Sequence, residues 1–174
     1  MGRSNILWAF CAAVAATAAL GSSVPGAIGF PDGYRQWTHV RSAIGHPPPG
    51  NPTLRFDGLH HIYANDIAVA GYRAGSFADG AVLVFDRFAV KADSRGIEPA
   101  ERLSIDVMVR DSARFADSSG WGFERFAGDD MRTPVIDNLE RQQCVTCHRH
   151  VEGRGMVFSR FENPPAEPGK PAKR

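Results

Sequence analysis

Two cysteines and a histidine stand together in "QQCVTCHRH", as Cys144, Cys147 and His148. Residues three apart share one side of a helical turn, so both sulfurs can reach one partner. His148 follows directly. The spacing C-x-x-C-H is the attachment pattern of c-type haem. Each sulfur forms a thioether to a vinyl group of the porphyrin, and the adjacent imidazole becomes an axial ligand of the iron. A zinc site needs four ligands, and neither His39 with His46 nor His60 with His61 adds a pair at a usual spacing. A redox thiol pair belongs at a helix N-terminus behind a strand, whereas this pair lies near the end of its helical stretch. Haem c, one per chain and covalent through Cys144 and Cys147, uses all three residues.

The chain has three cysteines in all. The third, Cys11, lies in an apolar, Ala-rich run from Ile6 to Leu20, preceded by Arg3 and followed by Gly21, Ser22 and Ser23. A short positive region, a short apolar core and a small-residue exit make a secretory signal peptide. The run falls short of the roughly 20 residues that a bilayer-spanning helix needs. Residues 1–27 are read as an export signal, cut between Gly21 and Ala27, and the mature chain as periplasmic or secreted, with no membrane partner. Export suits haem c, which is assembled outside the cytoplasm. It also leaves Cys144 and Cys147 as the only cysteines, too few for a disulfide-stapled fold. A net charge of +1 over 174 residues gives no concentrated basic field and no case for a nucleic-acid partner. The length is that of one domain.

The elements that must carry these residues follow from pattern. "FPDGYRQWTHVRSAI" has Tyr34, Trp37, Val40, Arg41 and Ile44 at helical spacing, which predicts a first helix. "GHPPPGNP" breaks regular structure and reads as an extended loop. "LRFDGLHHIYAN" predicts a strand. "NDIAVAGYRAG" predicts a short helix, with Asn65 or Asp66 as cap and Gly71 or Gly75 near its end. "FADGAVLVFDRFAV" is apolar on both faces at first, as in a central strand. "RLSIDVMVRD" alternates: Leu103, Ile105, Val107 and Val109 point one way, Ser104, Asp106, Met108 and Arg110 the other. "KADSRGIEPAE" between them reads as a polar hairpin loop. "GWGFERFAG" predicts an aromatic-rich strand. A helix begins at Thr133 as N-cap and Pro134 in its first turn, and carries Cys144, Cys147 and His148. "RGMVFSRFENPP" resumes extended structure. The whole is an α+β fold: mainly an antiparallel β-sheet with peripheral helices and a C-terminal haem-carrying helix. The haem domain spans residues 28–161, and the Pro- and charge-rich tail 162–174 reads as disordered.

The order "YRQW", "YAN…Y…G.FADGAVLV", "GWGFERF", "CVTCH" and "MVFSRF" resembles the cytochrome P-460 and cytochrome c-prime-beta family, over roughly Phe30 to Phe161. The resemblance implies a mostly antiparallel β fold, a homodimer, one haem c per chain, His148 as proximal ligand and an open distal side.

The same resemblance divides the family at one position. Hydroxylamine-oxidising members carry a Lys, cross-linked to the porphyrin, at the fifth residue after the Gly of F-x-D-G. Here the motif is Phe77 to Gly80, and the fifth residue on is Phe85. A phenyl ring has no nucleophilic nitrogen and cannot make the link. Lys91 lies about 20 Å further along an extended strand and reads as a solvated hairpin lysine. The non-cross-linked branch has Phe at this place and a second Phe on the earlier strand, for which Phe56 is the candidate. Two rings over the iron make a small dry site that admits carbon monoxide or nitric oxide and penalises hydrated anions. His60 shares the face of Phe56 and is placed to hydrogen-bond a bound ligand or relay protons. Arg125 and Arg160 are candidates to pair with propionates; Trp121 and Phe123, to pack the ring edge. Met156 is the nearest candidate sixth ligand for a low-spin electron carrier, although the family reading makes it a core residue of the last strand. The expected function is therefore a gas-binding cytochrome, with an unknown redox partner. Hydroxylamine or nitric oxide oxidoreduction and simple electron transfer are the alternatives.

Overall fold

The computed structural model describes residues 27–45, 58–128 and 130–161. Its frame is one antiparallel sheet of six strands that lie side by side in chain order. They are β1 (Thr38–Gly45), β2 (Gly58–Ala64), β3 (Val82–Asp93), β4 (Gly96–Arg110), β5 (Trp121–Ala127) and β6 (Asp130–Pro134). Helix α1 (Asp66–Ala74) fills the β2–β3 connection, and helix α2 (Asn138–Arg149) follows β6. The fold is thus α+β and mainly antiparallel, with the C-x-x-C-H sequence on the last helix. No described helix is long and apolar enough to cross a membrane.

Side chains alternate between the two faces of the sheet, and each face has its own core. On one side Ile62, Ala64, Leu83, Trp121 and Phe123 pack against α1 through Ala68 and Val69, and against Met156 and Val157 of the C-terminal segment. On the other, Val84, Ile105, Val107 and Phe126 pack under Ile28 and Tyr34 of the N-terminal segment. This second core encloses Asp86, 1% exposed, which accepts from the Tyr34 hydroxyl at 2.6 Å and from Arg102 Nε at 2.8 Å. Burial pushes its carboxyl upward, against the pull of those donors. Burial on both sides explains why the start of β3 reads as apolar on both faces.

Asn65 ties the first helix to the sheet. Its side-chain oxygen accepts from Ala68 N, capping α1, and from Val82 N at the start of β3, while its amide donates to the Gly80 carbonyl. Gly75 closes α1 in the left-handed region, at φ 74, where glycine carries no Cβ penalty. Both ends of α1 lie where capping chemistry predicts.

Four stretches differ from the sequence reading. The expected first helix is a single 3-10 turn, Tyr34–Gln36, followed by β1. Thr38, Val40 and Ile44 are β-branched and suit a strand, and pairing with β2 along Thr38↔Ala64 to Gly45↔Gly58 satisfies the backbone. Sheet pairing outweighs a helical spacing that buries only Val40 within β1. The expected polar loop at 91–101 is mostly strand, because β3 and β4 continue to a two-residue connection at Ser94 and Arg95. A paired ladder satisfies backbone groups whatever the side chains, so it continues past the last buried residue. The final helix begins at Asn138, not at Thr133, which with Pro134 belongs to β6. Asp137 is the actual cap: its carboxylate accepts from Glu140 N at 2.9 Å, and Glu140 accepts from Asp137 N at 3.0 Å. This capping box was legible as D-x-x-E. The segment from Arg154, expected to be extended, opens on the end of a 3-10 turn, Glu152–Arg154, and Met156 sits beyond it outside any strand. The signal segment before Ala27, the proline-rich loop after Gly45, Phe56 and the tail 162–174 lie outside the described residues.

Candidate functional site

Between α2, the C-terminal segment and one face of the sheet lies a cavity of about 520 Å³. Cys144, Cys147 and His148 line it from the helix, His60 and Ile62 from β2, Phe85 from β3, Met108 from β4 and Phe123 from β5. Residues far apart in sequence meet there because their strands are neighbours. Phe85 stands opposite Ile62 on one side and Asp106 on the other, and Asp106 stands opposite Arg125.

The F-x-D-G turn sets where Phe85 falls. Asp79 accepts from the amide and hydroxyl of Ser112, and Gly80, at φ 87, donates its amide to the Arg110 carbonyl. Val82 then enters the ladder opposite Val109, and alternation brings Leu83 and Phe85 to the cavity side.

Helix α2 is held by its capping box and by Arg141, whose guanidinium donates to the buried Glu124 of β5 at 2.6 Å. Cys144 and Cys147 are free, half-buried thiols. Burial pushes both upward from the usual thiol range. A redox or nucleophilic pair needs the opposite shift, so this environment suits sulfurs that end as neutral thioethers.

His148 Nδ1 donates to the Met156 carbonyl at 2.7 Å. That bond fixes the tautomer and leaves the Nε2 lone pair for a metal. Burial holds the imidazole below its ordinary range, so it stays neutral. Phe123 and Phe158 flank the ring, with centroids 4.9 and 5.0 Å away. The accepting carbonyl is positioned by a chain reversal: Gly155 and Met156 both adopt left-handed conformations, at φ 68 and 62, and Trp121 Nε1 donates to the Gly155 carbonyl at 3.0 Å. Sequence reasoning missed this role of Met156, because a backbone carbonyl leaves no mark on residue type. Met156 is 1% exposed in the core and is not among the cavity-lining residues, which removes the support for it as a sixth ligand.

His60 and Phe85 form a second aromatic group in the cavity, stacked at 4.4 Å and 24°. Burial, aided by the neighbouring Arg41, His61 and Arg87, pushes the His60 imidazole down to about 4. Arg125 lines the cavity and is paired with Asp106. Arg160 is exposed and does not line the cavity. Trp121 also lies away from the wall, against Phe77, so of the two expected ring-edge residues only Phe123 reaches it. Lys91 is exposed and paired with Glu98 at 3.4 Å.

These residues fit a haem: two helical sulfurs and a tautomer-locked imidazole face one apolar cavity of ligand-pocket size. In the comparisons with known proteins, no curated protein matches the chain. A family model, that of cytochrome P-460, matches residues 31–159. With most of its length matched, the chain belongs to the cytochrome P-460 family and is a haem cytochrome.

Proposed function

We propose that this cytochrome belongs to the non-cross-linked, c-prime-beta-like branch of its family and captures small neutral gases, nitric oxide and carbon monoxide. Cys144 and Cys147 would hold the haem by thioethers, and His148 would supply one axial ligand. Bound there, the haem would supply an iron that takes up a small gas.

The protein's own residues do the rest. Phe85 and Ile62 keep hydrated anions out, because an ion entering an apolar wall loses solvation that nothing replaces. The Met156 carbonyl holds the imidazole in its ligating tautomer. The observation that carries this reading is Phe85 on the cavity wall, at the position where the hydroxylamine-oxidising branch is expected to carry its cross-linking lysine. The reading includes export to the periplasm or beyond, assembly as a homodimer and an unidentified redox partner.

The test joins mass spectrometry of the haem peptide with visible and EPR spectra of the purified protein, with and without nitric oxide. A peptide with two thioethers only, and a five-coordinate spectrum that shifts on adding the gas, are expected. A third covalent link would return the protein to the hydroxylamine-oxidising branch. A low-spin six-coordinate spectrum at neutral pH would end the open-site reading.

A further inference from the structure

The wall of the cavity is mostly apolar, and most of its polar side chains are committed. Asp106 and Arg125 are paired with each other. Glu124 binds Arg141. Ser159 binds the Tyr72 hydroxyl at 2.5 Å, and His148 Nδ1 is bound to the Met156 carbonyl. Among the described residues, His60 is the one cavity-lining side chain with a polar atom both sealed and unpartnered: its Nδ1.

That atom dictates the tautomer. A neutral imidazole carries one proton. Placed on Nδ1, it would be a buried donor with no acceptor, the rarer and costlier kind of orphan. Placed on Nε2, it leaves Nδ1 an idle acceptor, which costs less. The proton is therefore assigned to Nε2. The stack on Phe85 fixes the ring. His60 is therefore a single, oriented, neutral donor in a wall whose other polar side chains are mostly paired.

We propose that the Nε2–H of His60 donates a hydrogen bond to the gas molecule held in the cavity, and so tilts the site toward nitric oxide over carbon monoxide. This rests on the gas-capture reading above. Pocket donors favour the diatomic whose outer atom gathers more charge, and nitric oxide gathers more than carbon monoxide.

The test compares wild type with His60→Leu and His60→Gln as reduced holoproteins. The readouts are the infrared stretch of bound carbon monoxide and the release rates of both gases. In His60→Leu the band should move to higher wavenumber. Nitric oxide should leave roughly three- to tenfold faster, the range that one ordinary hydrogen bond converts to, and carbon monoxide release should change less. His60→Gln, which keeps an N–H, should recover part of both effects. An unchanged band and unchanged release in His60→Leu would overturn the role of His60 while leaving gas capture intact. A wild-type protein that forms no carbon monoxide adduct would overturn both.

Discussion

At the residue scale, the chemistry rests on imidazoles kept neutral by burial. His60 is pushed down to about 4, and His148 is also lowered, whereas an imidazole in the unfolded chain titrates near 6.5. Between about pH 6.5 and 4 the unfolded state therefore binds protons that the folded state refuses. Stability then rises with pH across that window, and falls as the solution is acidified through it. Urea midpoints measured from pH 7 to 4 should decline, and the decline should be shallower in His60→Leu. A parallel decline in the two proteins would show that His60 does not resist protonation. Cys144, Cys147 and His148 stood out in the sequence because C-x-x-C-H is a fixed local spacing, and the structure brings all three to one cavity. The hydrogen bond from His148 to Met156 did not, because it closes through a backbone turn.

At the element scale, α2 presents Cys144, Cys147 and His148 to the cavity, and its start decides their orientation. The Asp137–Glu140 capping box satisfies two backbone amides that would otherwise be orphaned. Asp137→Ala should cost about 1 kcal/mol, seen as a melting temperature lower by about 2–4 °C. No loss would mean that Arg141 and the cavity contacts hold the helix end without the cap. The sequence reading placed this start at Thr133, because Thr followed by Pro is also a valid helix opening. Pairing of Phe126 with Pro134 draws that segment into the sheet instead. The first helix was misread for a related reason: one spacing satisfied two periodicities, and β2 chose between them.

At the scale of the whole molecule, the sheet is a partition. The cavity lies on one face, and the core built round Tyr34 and Asp86 lies on the other. Stability and ligand chemistry should thus separate. Tyr34→Phe removes the donor 2.6 Å from Asp86 and should cost about 1–3 kcal/mol, measured by denaturant titration, without moving the visible spectrum. A shifted spectrum would show that the two faces are coupled. By itself the sequence pointed to a haem cofactor and the β-rich layout, and narrowed each end of α1 to two residues, because each signal depends on neighbours within a few residues. Only the tertiary structure decided that Phe85 and His60 share a cavity with His148 while Arg160 stays outside it. Strand register and chain reversal set those distances, and both arise from pairings between segments distant along the chain.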